Sequence, residues 1–150
     1  MTNERIPPTA LILSLLGLLP LLASAFSLAT GIKIVLIHDP ALALVTYCAI
    51  ILSFLGGVRW GFALRISDAG LQREAFILST IPSIVAWLLL LPPTLMGFIL
   101  MPVLFIVMGL MDDRLPSIGA PLWYRKLRRL MTLLVVLTLF AAIYGLTQKV

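Results

Sequence analysis

Apolar residues run almost unbroken through five stretches of this chain, roughly residues 9–32, 41–64, 72–91, 94–111 and 128–147, with short punctuated gaps between them. Each stretch meets or approaches the ~20 residues that, at 1.5 Å rise per residue, cross a hydrocarbon layer about 30 Å thick. The pattern predicts an all-α, polytopic membrane protein. Its architecture is a five-transmembrane-helix bundle, a single integral-membrane domain over residues 1–150 in which nearly every residue crosses or turns.

Helix punctuation agrees with the hydropathy. Pro7-Pro8 precedes the first stretch, where a missing N–H is harmless, and Gly31 followed by Lys33 suits its end. Asp39-Pro40 reads as an N-cap followed by proline at the first helical position. Ser67-Asp68-Ala69-Gly70 is a turn cluster, and Leu91-Pro92-Pro93-Thr94 is an uncharged hairpin between spans three and four. Pro20, Pro82 and Pro102 fall inside spans one, three and four, where each removes a backbone hydrogen bond and reads as a packing bend.

Composition strengthens the membrane reading. The chain is 61% hydrophobic and 11% charged, against about 45–50% and about 25% in soluble domains. A soluble domain of this size could not bury so much apolar surface. The net charge of +5 would suggest nucleic acid in a soluble chain, but here the basic residues flank apolar spans, so orientation and anionic lipid explain them and no nucleic-acid partner is expected.

Alternating spans place Arg5, Arg65, Arg73, Arg114, Arg125, Lys126, Arg128 and Arg129 on one face and only Lys33 and Lys149 on the other. Positive charge marks the inner side, so the N-terminus is expected to be cytoplasmic and the C-terminus outside. Arg5, the run Leu11–Leu22 and Ala23-Ser24-Ala25 imitate a cleavable signal. Glu4 and the apolar continuation through Phe26–Ile32 argue against cleavage. The expected location is a bacterial cytoplasmic (inner) membrane.

Helices in lipid associate through small residues rather than through hydrophobic drive. Ser53, Gly57 and Gly61 recur every four residues and are expected to form a helix-packing seam along span two. Ala23, Ser27 and Gly31 repeat the spacing in span one, and Ser79 and Ser83 give span three a shorter stripe.

Few residues offer chemistry. Arg59 lies about 9 Å along the helix from Arg65, beside Trp60. It is either a functional cation within the membrane or a snorkelling anchor whose neighbour Trp60 sits in the interfacial aromatic belt. Glu74 and Asp112 are its candidate partners. Asp112-Asp113-Arg114 superficially resembles an acidic metal motif, but no second motif accompanies it, and no metal site is expected. His38 is a lone histidine, which cannot by itself build a haem or conventional zinc site. Cys48, the single cysteine, excludes an internal disulfide and a CxxC motif. The serines lack a G-x-S-x-G elbow and a histidine base on their side. No acidic residue falls mid-span, and five spans do not divide into two repeats, so a transporter is poorly supported. No cofactor is expected, and no enzyme.

Leu122, Trp123, Tyr124, Leu127 and Leu130 interleave with Arg125, Lys126, Arg128 and Arg129. That pattern predicts a short basic interfacial helix before the last span, anchored in lipid headgroups or docked on an acidic partner. Trp123, Tyr124 and Arg125 therefore join Arg59, Trp60, Glu74 and Asp112 as candidate binding residues.

The segment Ser53–Gly61 (SFLGGVRWG), followed by Ile81-Pro82-Ser83, Ala86-Trp87 and Leu122-Trp123-Tyr124-Arg125 with Leu127-Arg128, resembles the domain-of-unknown-function 3429 family of small bacterial inner-membrane proteins, a group with a mitochondrial branch. The resemblance covers nearly the whole chain and implies a multi-span membrane protein. It brings no catalytic residue or cofactor. The expected role is non-enzymatic: contact with membrane lipids and with other integral membrane proteins, assisting assembly of a membrane complex. The alternative is a helical-bundle binder of a lipid or quinone, with Arg59 and Trp60 at its polar head.

Overall fold

A computed structural model describes residues 5–91, 94–114 and 119–148, and within the described residues the regular structure is entirely helical. The first apolar stretch forms α1 (Pro8–Leu16) and α2 (Leu19–Thr30). Pro20 has no N–H to give Leu16, which interrupts the helical ladder. Gly17 (φ −63°, ψ −16°) and Leu18 (φ −82°, ψ −17°) nevertheless keep right-handed helical dihedrals. The two segments therefore continue as one 23-residue rod, Pro8–Thr30. Gly31 ends it in the left-handed region (φ 76°), donating its N–H to the Ser27 carbonyl at 2.9 Å, a conformation glycine adopts without a Cβ penalty.

Helix α3 (Pro40–Ala63) starts as the sequence indicates, with the Asp39 carboxylate accepting from the Ala41 and Leu42 N–H groups at 3.0 Å each. Helix α4 (Ala69–Leu88) is capped by Asp68, which accepts from the Leu71 N–H at 2.8 Å. Ala69 and Gly70, expected in the turn, thus belong to the helix. The Gln72 amide donates back to the Ala63 (3.3 Å) and Ile66 (3.1 Å) carbonyls, tying the start of α4 to the end of α3 and the turn after it. Pro82 and Pro102 lie inside α4 and α5 (Thr94–Asp112), as expected. The Pro92-Pro93 turn and Lys149 lie outside the described residues.

Helix α6 (Leu122–Thr147) corrects one expectation. Its basic aromatic start is no separate interfacial helix but the first turns of a continuous 26-residue helix. No proline follows Leu122, and the first glycine is Gly145, so nothing interrupts the ladder. At about 39 Å it exceeds the ~30 Å hydrocarbon thickness by roughly a turn and a half.

Helix α3 packs most extensively against α4 and also touches α2 and α5, while α6 lies against α5 and α2. Leu21, Leu44, Leu52, Met101, Phe105 and Leu139 are fully enclosed between them. The seam between α3 and α4 corrects a second expectation. The residue in close contact is Gly56, where a Cβ would collide with the Ser79 carbonyl oxygen, whereas Gly57 and Gly61 have nothing within 4 Å of a Cβ position. A four-residue stripe fixes a helix face only to within about one residue, and the buried face here runs through Leu52, Leu55, Gly56, Arg59 and Ala63. Ser53 does reach α4, bonding Ser83 through their hydroxyls at 3.2 Å.

Outside, the bundle is apolar: Phe54, Ile84, Leu110, Leu133 and Phe140 are among the many large side chains left exposed. In water, patches of this extent would be covered. Pro8–Thr30, Pro40–Ala63 and Leu122–Thr147 are each long and apolar enough to cross a membrane. Helix α4 begins with the polar run Gln72-Arg73-Glu74, and the apolar part of α5, Met96–Asp112, is shorter. Among the described residues, length and composition therefore give three candidate crossings, the signature of a membrane protein.

Candidate functional site

Three ionic side chains from three helices meet inside one end of the bundle. Arg59 of α3 donates from Nη1 to Asp112 Oδ1 at 2.8 Å, and Arg128 of α6 donates from Nε to Asp112 Oδ2 at 2.7 Å. Asp112 is 1% exposed, Arg128 6% and Arg59 8%. Each carboxylate oxygen thus takes one guanidinium, and the trio carries one net positive charge. Burying charge is expensive unless partners compensate it, and compensation here is incomplete: Arg59 Nε and Arg128 Nη2 are buried with no hydrogen-bond partner.

The local sequence explains the convergence. Arg59 falls on the face of α3 that also carries Leu52, Leu55, Gly56 and Ala63 inward, and Asp112 is the last residue of α5. Arg128 lies a turn and a half into α6, on the face shared with Leu127, Met131 and Val135. Next to this trio, Asp113 meets Arg129 at the surface through three hydrogen bonds of 2.9–3.2 Å. Those bonds hold the Asp113 carboxyl below the usual carboxylate range, against a smaller opposing effect of burial and with further help from the charges of Arg129 and Arg125.

The other sequence candidates separate. Asp112 is a partner of Arg59, as anticipated. Glu74 is exposed on the first turns of α4 and takes no part. Trp60, 44% exposed, turns outward and packs on Phe76 with ring centroids 4.6 Å apart, so Arg59 and Trp60 diverge from adjacent positions. Trp123 and Tyr124 are half-buried, their rings 6.2 Å apart, and Tyr124 also meets Phe62 at 5.7 Å. Both line a cavity of about 510 Å³ between α1, α3 and α6, which Arg128 also lines. Arg125 is partly buried near Asp113, its Nε without a partner.

Arg128 is the residue that sequence reasoning left among the orienting charges. The available signal was the matched spacing of Asp112-Asp113 and Arg128-Arg129, two acidic and two basic neighbours sixteen residues apart in the sequence.

The family described as Protein of unknown function (DUF3429) matches residues 6–144. The chain belongs to that family. Among relatives, the DUF3429 chain is similar to Transmembrane protein 69 of Xenopus tropicalis, 34% identical over 140 residues that make up 91% of this chain and 54% of the relative. It therefore spans about half the length of that relative. No solved structure matches it. Two of the segments by which the sequence resembles DUF3429 proteins, Ser53–Gly61 and Leu122–Arg128, supply the two guanidinia that meet on Asp112.

Proposed function

We propose that this DUF3429 protein is a non-enzymatic, multi-pass protein of a bacterial inner membrane that docks a transmembrane helix of another integral membrane protein and so assists assembly of a membrane complex. The uncovered Gly57–Gly61 face of α3 carries this reading. Both glycines are exposed with nothing within 4 Å of a Cβ position, while neighbouring Gly56 is consumed by α4. Glycines four apart let two membrane helices approach closely enough for backbone contact. Trp60, exposed beside them, would flank the incoming helix. The ion trio then serves to hold α3, α5 and α6 in place. A lipid or quinone head held jointly by Arg59 and Trp60 is less well supported, since the two side chains point apart.

In this reading all five rods cross the bilayer, α4 and α5 as a shorter pair, and the N-terminus is cytosolic. The Lys and Arg count supports that orientation. Fluorescent-protein and alkaline-phosphatase fusions after Asp113 and after Thr147 should report cytosol and exterior respectively. Affinity purification in mild detergent of the parent and of Gly57→Ile/Gly61→Ile tests docking. The variant should lose a stoichiometric membrane-protein partner while melting like the parent, and an unchanged set of partners would sink the proposal.

A further inference from the structure

The cavity between α1, α3 and α6 is asymmetric in a way that specifies an occupant. Along α3 its wall runs from Tyr47 to Val58, eleven residues and so about 16 Å. Most of the wall is apolar, with Leu13, Ile51, Phe54 and Met131 among the lining side chains. At the Val58 end it becomes polar and cationic, because two of its lining residues meet α3 there: Tyr124 packs on Phe62, and Arg128 shares Asp112 with Arg59. The opposite end offers little polarity, since the Tyr47 hydroxyl is already committed to the Gly17 carbonyl at 2.7 Å.

Arg128 is more than nine-tenths buried; among the described residues its Nε donates to Asp112, and its Nη2 has no hydrogen-bond partner. The trio it belongs to has one positive charge in excess. A buried donor on an uncompensated cation is best satisfied by an anion. The volume, about 510 Å³, lies within the range of small-ligand sites.

We infer that this cavity binds an anionic single-chain amphiphile, its tail lying along α3 and its carboxylate or phosphate head on Arg128 and Tyr124. The site is distinct from the Gly57–Gly61 face, and neither reading requires the other.

The test uses the full chain, purified in mild detergent, with a palmitate carrying a mid-chain diazirine as probe. After irradiation, mass spectrometry should place the label on α3 between Ile50 and Val58 and on facing residues of α1 and α6. Excess palmitate or lysophosphatidate should each remove it, and the stronger competitor tells a carboxylate head from a phosphate one. Palmityl alcohol should compete at least tenfold less well. Arg128→Gln should reduce labelling by tenfold or more. Because Arg128 also holds Asp112, Ser14→Trp provides the independent variant: it fills the cavity from α1 without touching the ion trio, and should abolish labelling with an unchanged melting temperature. Label spread evenly over the outer surface, equal competition by the alcohol, or labelling that survives Ser14→Trp would each overturn the inference.

Discussion

Asp112 and Asp113 are neighbours, each paired with one of the neighbours Arg128 and Arg129, yet the two pairs live in different solvents. Asp112 is enclosed and shared by two guanidinia. Asp113 faces outward with Arg129. Nothing in the residue types distinguishes them. The difference is rotation: one step along a helix turns a side chain by about 100°, enough to move it from core to surface. The same step separates Gly56 from Gly57 and Arg59 from Trp60. On helices this apolar, what a residue does depends on the face it occupies far more than on the segment it belongs to.

The largest effect should come from breaking the enclosed pair. Asp112→Ala leaves Arg59 and Arg128 facing each other without a carboxylate, and is expected to cost about 3–5 kcal/mol, whereas Asp113→Ala should cost about 0–1 kcal/mol, as exposed pairs do. Unfolding by added denaturing detergent, followed by circular dichroism, measures both. Equal losses would mean that the two aspartates do not differ in environment.

Intermediate in size is the glycine comparison. Gly56→Ala must push α4 away, because the obstructing atom is the backbone oxygen of Ser79, and overpacking of this kind costs about 1–3 kcal/mol. Gly57→Ala meets open space, and should be neutral or stabilise by up to about 1 kcal/mol through helix propensity. Thermal melting of the two variants side by side decides the matter. A destabilised Gly57→Ala would place the seam on the wrong face.

Smallest is the pH response of the surface pair. The folded Asp113 carboxyl lies below its ordinary value, so its contribution to stability is complete above the unfolded value of about 4 and is lost as pH falls through the lower folded one. Melting of the parent and Asp113→Asn should therefore differ slightly at pH 7 and converge below pH 4. A difference that grows on acidification has the wrong sign.

Hydropathy made the apolar rods and their caps legible, because Asp39-Pro40, Gly31 and the long uncharged runs act locally. Helix faces were harder to read. With apolar residues on nearly every side of α3, periodicity cannot say whether Gly56 or Gly57 points inward, and only the approach of Ser79 from another helix decides it. The cluster around Arg59 was half legible: Asp112 was accessible as an acid at the end of an apolar stretch. Arg128 was hidden by its company, since three adjacent cations in Arg125, Lys126 and Arg129 make it look like one more interfacial charge. The apparent interfacial helix arose from the same cause, a basic aromatic opening on a helix simply too long for the bilayer.

The order in which the trio is synthesised matters. Arg59 leaves the ribosome 53 residues before Asp112, and Arg128 follows 16 residues after. A nascent chain that includes α3 and α4 but not α5 holds the Arg59 guanidinium without Asp112, and a charge so placed resists stable burial. Completion of α5 neutralises the first arginine, and arrival of α6 restores a positive charge and completes the trio. A chain that stops before α5 therefore leaves Arg59 without the carboxylate it shares with Arg128, and one that stops before α6 leaves Arg59 and Asp112 as a neutral pair.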